Sequence, residues 1–379
     1  MKKFIKLYII LVLFLGGAAQ ALDKVSITCD GTPEYNQSVM KSYRQIQFKT
    51  SVYDVPPRGG EGIRLGIYQA QAVSGQGATK KNLKRMEDAI KMAKVRNVQL
   101  LSFPELYIPG YTLSPAMVKE IAQFENGSAI TKACKLAKKF NIAILLPYAQ
   151  KVKNSDATLA YYDSIAIISE HGKLLNSYKK THLYGQQERD NWSFGDGDYR
   201  VYRFFGFPVG VLNCYECEFP ELSRILALKG AKLIVGPTAA DNYYALPSGK
   251  RSDVPYPDIS KTLIPAYAYA NNIFFAYSNR VGYERRGKDE WHYRGNSIIA
   301  GPHGDIIVAA NHEQDTMLIA DCIPSFYGMT HPAPKYNYLK DRRPKLYKEL
   351  IKPKVEFIEG GYVYPLYKDG KEIFQKHEK

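Results

Sequence analysis

The chain has 379 residues, 45% of them hydrophobic, 13% aromatic and 23% charged, a balance that supports a large buried core and excludes a disordered chain. Its formal net charge is +15, yet the Lys and Arg residues are scattered over predicted helix surfaces. No RNP, zinc or helix-turn-helix pattern accompanies them, so nucleic acid is not an expected partner.

Lys2, Lys3 and Lys6 precede an apolar run from Leu7 to Leu15 and small residues ending in Ala19-Gln20-Ala21, the pattern of a cleaved export signal over residues 1–21. The run is shorter than the ~20 residues a bilayer span needs. The expected product is therefore an exported protein, periplasmic or secreted, with no stable membrane insertion and a charge of +12 once those three lysines are gone. Residues 22–61 are polar, end in Pro56-Pro57-Arg58-Gly59-Gly60, and read as an N-terminal arm.

The alternating run Ile63–Tyr68, a helical pattern from Lys80 to Lys94 and the apolar run Val98–Phe103 form a β-α-β unit. Val118 to Phe140 reads as one helix leading into the strand Ile142–Leu146, and Tyr161–Ile168 forms a hairpin with the strand after Gly172. Val209–Asn213 is a buried strand running into Cys214, and a helix from Glu221 to Lys229 stops at Gly230 before Leu233–Val235. Strands and helices alternate to residue 323 with no linker or repeat, so residues 62–323 read as a single α/β domain. Residues 324–379, rich in Pro, Tyr and Lys, read as a C-terminal arm with a short helix, of the kind that contacts a neighbouring subunit.

Cys29, Cys134, Cys214, Cys217 and Cys322 are odd in number, so at least one thiol stays free. Cys214 and Cys217 have the spacing of a redox pair but lack its short βαβ setting, and a redox protein using them is the lesser alternative. Three segments instead place reactive side chains at the ends of apolar strands, around Glu105, Lys180 and Cys214. Brought together, a carboxylate can take the thiol proton, the thiolate can attack a carbonyl, and an ammonium can stabilise the oxyanion.

These segments resemble those of the nitrilase superfamily of carbon-nitrogen hydrolases. The resemblance rests on Phe103-Pro104-Glu105-Leu106 followed by Gly110-Tyr111, on Tyr178, Lys180, His182 and Leu183 in Tyr-x-Lys-x-His-Leu register, and on Gly210-Val211-Leu212-Asn213-Cys214-Tyr215-Glu216 continuing into Phe219-Pro220-Glu221. It implies a four-layer α-β-β-α sandwich that forms a homodimer or a higher homo-oligomer. It also implies Glu105 as general base, Lys180 as oxyanion stabiliser and Cys214 as nucleophile with a thiol pKa lowered by Lys180. Glu188, Tyr215 and Tyr111 are implied as substrate-positioning residues, the backbone N–H of Tyr215 serving as second oxyanion donor. Lys179 falls out of register and should face the other way, and His182 reads as structural. The expected reaction is hydrolysis of a small primary amide through a Cys thioester, with a nitrile or an N-carbamoyl (ureido) compound as the alternative. Tyr215 stands where the nitrile-hydrolysing branch commonly has Trp, and Glu216, Cys217 and Glu218 stand where the carbamoyl-D-amino-acid branch carries arginines. No G-x-G-x-x-G follows a strand and no metal-ligand spacing appears, so neither cofactor nor metal is expected.

Overall fold

The structure is a computed structural model describing residues 46–71, 73–75, 77–245, 251–286, 289–328, 337–351, 366–368 and 371–373. The expected signal segment and residues 22–45 of the expected arm lie outside these. The first half comprises β1 (Gln47–Ser51), β2 (Ile63–Gln69), α1 (Ala78–Val95), β3 (Leu100–Ser102), α2 (Pro115–Ile121), α3 (Ser128–Phe140), β4 (Ala143–Lys153), β5 (Leu159–Ile168), β6 (Leu174–Lys179) and α4 (Gly185–Asn191). The second comprises β7 (Val201–Phe204), β8 (Phe207–Val211), α5 (Pro220–Leu228), β9 (Leu233–Pro237), the hairpin β10 (Tyr243–Ala245) with β11 (Arg251–Pro255), α6 (Leu263–Asn271), β12 (Phe274–Ser278), the hairpin β13 (Val281–Arg286) with β14 (Asp289–Arg294), β15 (Ile298–Ala300), β16 (Ile306–Ala309) and β17 (Thr316–Cys322). A last hairpin pairs β18 (Leu366–Lys368) with β19 (Lys371–Ile373).

Two sheets carry the architecture. One runs β1-β17-β2-β3-β4-β5-β6, with β2, β3 and β4 mutually parallel; the other runs β16-β15-β12-β9-β8-β7, with β8, β9 and β12 mutually parallel. Successive side chains on a strand point to opposite faces, so these doubly buried strands are apolar on both. Leu65, Leu145 and Ile165 of the first sheet meet Val209, Val235 and Phe274 of the second in the central layer. On the outer face of the first sheet Leu101 and Ile144 pack under Met86 and Ile90 of α1 and Ala133 of α3. Ile234 and Phe275 of the second pack under Leu226 of α5 and Ile264 of α6. The result is the four-layer α-β-β-α sandwich.

Two expectations change. Part of the N-terminal arm is strand: β1 pairs in parallel with β17 and extends the first sheet. The helix expected over Val118–Phe140 is two, α2 and α3. Between them Gln123 donates its backbone N–H to Ala149 O (2.9 Å) and accepts from Lys151 N (2.9 Å), so the backbone pairs with β4 instead of continuing the helical ladder. Of the expected C-terminal arm, the described part of residues 324–351 forms short 3₁₀ turns, with Leu346, Leu350 and Ile351 exposed.

The closing strand β17 is tied to β2 by more than its ladder. Buried Arg64 on β2 reaches Asp321 on β17 through Nε to Oδ1 (2.7 Å) and Nη2 to Oδ2 (2.8 Å), and Tyr53 N donates to the same carboxylate (2.8 Å). Asp321→Ala leaves a guanidinium buried without its counter-charge and is expected to cost about 3–5 kcal/mol of stability. Urea unfolding measures this, and replacing both residues with apolar ones is expected to recover most of the loss.

Candidate active site

Lys180 follows β6 directly and is fully buried, whereas Lys179 faces the opposite way and lies over the Tyr162 ring at 4.7 Å, as the strand alternation requires. The Lys180 backbone is pinned on both sides, N–H to Asp163 O (2.9 Å) and O from Gly195 N (2.8 Å). A Cβ at position 195 would meet Lys179 O at 2.2 Å, so this close approach needs glycine. The Lys180 Nζ donates to Glu105 Oε1 at 2.5 Å and to Glu188 Oε1 at 2.8 Å. Burial alone would discharge this amine; the surrounding Glu105 and Glu188 carboxylates reverse that and hold it firmly protonated.

Glu105 lies just beyond β3, and Leu106 after it adopts a positive φ of 44°. Arg280, between β12 and β13, secures this turn: its Nη2 donates to Glu105 O (2.6 Å) and Leu106 O (3.1 Å), while Nη1 pairs with Glu284. Glu284 in turn accepts from the N–H groups of Tyr111 (2.9 Å) and Thr112 (2.8 Å). Tyr111 thereby reaches Glu188, donating its hydroxyl at 2.6 Å, and Glu188 also accepts from Tyr184 N at 2.8 Å. Glu188 is a buried first-turn residue of α4, and burial raises its carboxyl despite the Lys180 charge.

Cys214 ends the apolar run of β8 with a φ of 53°, a left-handed conformation that turns the chain at once into the 3₁₀ turn Cys214–Glu218. Glu216 fixes that turn against the strand carrying Lys180. It accepts from Asn213 N (2.7 Å), Tyr178 Oη (2.7 Å) and Thr181 N (2.6 Å). The Thr238 hydroxyl donates to Cys214 Sγ at 3.1 Å. Tyr215 turns its ring toward Tyr184 (5.4 Å) and Phe219 (5.0 Å), and its backbone N–H is among the leading donors of the turn, which the turn itself does not use. His182 packs on Phe219 at 4.4 Å, a structural placement. Cys214, Tyr215 and Tyr111 border a cleft of about 330 Å³, room for a small molecule.

The thiol departs from expectation. Burial first, and then the Glu105 carboxylate, push Cys214 well above its usual range; Lys180 pulls the other way but does not prevail, because its own charge is already shared with Glu105 and Glu188. The resting Cys214 side chain is a thiol under the influence of the Glu105 carboxylate. Cys134, Cys214, Cys217 and Cys322 are all unbonded, and Cys217 packs against Gly236 in the core beneath the turn, where a Cβ on that glycine would meet its Sγ at 2.3 Å.

Asp163 on β5 completes the cluster, unnoticed in the sequence because it sits within a run that reads as strand. Its Oδ2 is 3.7 Å from Lys180 Nζ and its Oδ1 accepts from Asn213 Nδ2 at 3.1 Å. Burial and the neighbouring Glu105 push it well above the carboxylate range. Asp163 Oδ2 and Glu105 Oε2 are both buried with no donor supplied to them, so a proton on Asp163 serves both oxygens. Glu105, Asp163 and Glu188 present oxygens within 4.8 Å of one another, spacing that could hold a metal ion, but the Lys180 ammonium already occupies the space among them. Neither Arg280 nor Glu216 is among the expected site residues. The cue for each is an isolated charge beside an apolar strand in a segment too buried to solvate it.

The family model for carbon-nitrogen hydrolases matches residues 64–330. The chain belongs to that family. It is 31% identical to a protein named hydrolase in pqqF 5'region, from Pseudomonas protegens, over 78% of this chain and 94% of the relative. It is 29% identical to an N-carbamoylputrescine amidase of Arabidopsis thaliana, over 71% of this chain and 90% of that one. Among solved structures, an amidase from Nesterenkonia sp. superposes with a TM-score of 0.61 at 26% identity, covering 78% of this chain and 99% of its own. A variant of that amidase carries the acetamide moiety of fluoroacetamide on its active-site cysteine. The chain is a hydrolase of carbon-nitrogen bonds other than peptide bonds.

If Asp163 works in its protonated form, an amide of the same shape can stand in for it. Asp163→Asn is expected to keep turnover within about fivefold of the parent. A loss of about 100-fold or more in kcat, measured on folded protein, would mean the carboxyl works ionised.

Proposed function

We propose that this chain hydrolyses small primary amides to carboxylic acids and ammonia, with Cys214 as nucleophile, Glu105 as general base and Lys180 as oxyanion donor. The observation that carries the reading is the contact of Lys180 with both Glu105 and Glu188, fully buried behind a left-handed cysteine that opens on a small cleft. Because the resting thiol is protonated, its proton passes to Glu105 as Sγ bonds to the amide carbon. The Lys180 ammonium and the Tyr215 N–H receive the negative oxygen. Glu105 then gives the proton to the departing nitrogen and the C–N bond breaks, leaving a thioester. Water attacks next, Glu105 takes its proton, the C–S bond breaks and the thiol is restored. Glu188, held by Tyr111, keeps the ammonium aimed.

Amide cleavage agrees with the Nesterenkonia amidase likeness and with Tyr215 after the nucleophile. The Arabidopsis relative supports a second substrate type, a ureido C–N bond, for the same site. Export after removal of residues 1–21, to the periplasm or medium, is proposed from the leader pattern. Homodimer formation is proposed from the resemblance and from Leu228 and Tyr269, left exposed at the ends of α5 and α6. No helix among the described residues is long and apolar enough to cross a membrane.

Ammonia release across a panel of primary amides, nitriles and ureido compounds tests the reading. Cys214→Ala and Glu105→Gln are expected to fold with the parent's circular dichroism and to lose about 10³-fold or more of turnover. Cys217→Ala is expected to keep it, as a redox pair would not. Full activity of folded Cys214→Ala would end the proposal.

A further inference from the structure

The cleft carries an acid that the reaction does not use. Glu218, at the end of the turn that begins with Cys214, lines the same cavity as the nucleophile. The Tyr256 hydroxyl donates to its Oε1, and among the described residues Oε2 has neither a hydrogen bond nor an ion pair. Lys180 is the cation that acts on Glu218 from a distance, and it is committed to Glu105 and Glu188. Burial accordingly raises the Glu218 carboxyl to about 7, the mark of an acid lacking a counter-charge.

The rest of the lining agrees in sign. Among the described lining residues the other acids are Asp190 and Asp241, against Arg286, whose guanidinium donates to Leu113 O (2.9 Å) and lies over the Trp291 ring at 5.3 Å. A chain of formal charge +15 thus encloses a cleft whose described lining is acidic, and low-dielectric walls focus that local field. Aromatic rings stand around the acid: Tyr184 lies 5.9 Å from Tyr256 and 5.4 Å from Tyr215, each pair at a steep angle. Ring faces beside a carboxylate are a favourable setting for an organic cation.

We infer that the cleft selects amides that carry an ammonium group or similar organic cation away from the scissile bond, anchored by Glu218 within the Tyr184, Tyr215 and Tyr256 rings. The inference rests on the amide-hydrolase reading and names its substrate class. An anionic amide is disfavoured by the same geometry, since its carboxylate would face Glu218.

Matched substrates decide it. For the full-length enzyme, kcat/KM is measured for 4-aminobutanamide against its neutral isostere pentanamide and against anionic succinamic acid, and for alaninamide against isobutyramide. At least one cationic amide is expected to exceed its neutral isostere by about tenfold or more, with the anion poorest. Glu218→Gln is expected to bring that ratio close to one. Ratios near one for both pairs in the parent enzyme overturn the inference while leaving amide hydrolysis intact, and so does a Glu218→Gln enzyme that keeps the full preference. Should no compound of any charge release ammonia, the amide reading fails and takes the inference with it. The parent ratios stand even if the variant does not fold.

Discussion

A single ammonium with no access to water organises this molecule. Lys180 can remain charged because Glu105 and Glu188 touch it, and Asp163, in its protonated form, lies just beyond. Those three acids come from three separate parts of the chain, the loop after β3, strand β5 and helix α4, so the charge requirement at one atom fixes their relative positions. A like-charged cluster of that density would repel itself without the lysine, and a lysine so buried would lose its proton without the cluster. Each side is stable only in the presence of the other.

The surrounding polar contacts make sense as supports for that arrangement. Arg280 and Glu284 bind backbone atoms of the Glu105 turn and of Tyr111, and Glu216 joins the cysteine turn to the segment that carries Lys180. The sheets supply rigidity: their parallel central strands end at the site, where strand ends leave loops free to present side chains. The left-handed backbone at Cys214 adds local strain, which the hydrogen bonds accepted by Glu216 offset. The Cys214 side chain, kept as a thiol, is also less prone to side reactions than a standing thiolate.

How much of this the sequence discloses depends on the range of the interaction. Glu105, Lys180 and Cys214 are legible because each follows an apolar strand within a short, characteristic run, and the α/β alternation discloses the layers. The break between α2 and α3 is not, because it depends on Gln123 pairing with β4 some 25 residues downstream, and periodicity within a helix says nothing of a distant partner. Strand β1 escapes notice for a similar reason, being defined by pairing with β17. Asp163 reads as an ordinary strand residue, since only the assembled cluster shows which way its carboxyl points. The direction of the Cys214 shift fails on the same ground: neighbours can be inferred from motifs, but the competition among them is decided by burial.

The place of β17 bears on how such a chain can be assembled. That strand lies between β1 and β2 although about 250 residues separate it from them in sequence, and Asp321 on it neutralises Arg64. The first sheet therefore cannot finish while the chain is still emerging in order; β1 and one edge of β2 wait for the far end of the domain. Topologies dominated by such remote pairings close slowly, so truncation anywhere before residue 322 removes the seam of the sheet as well as a terminus.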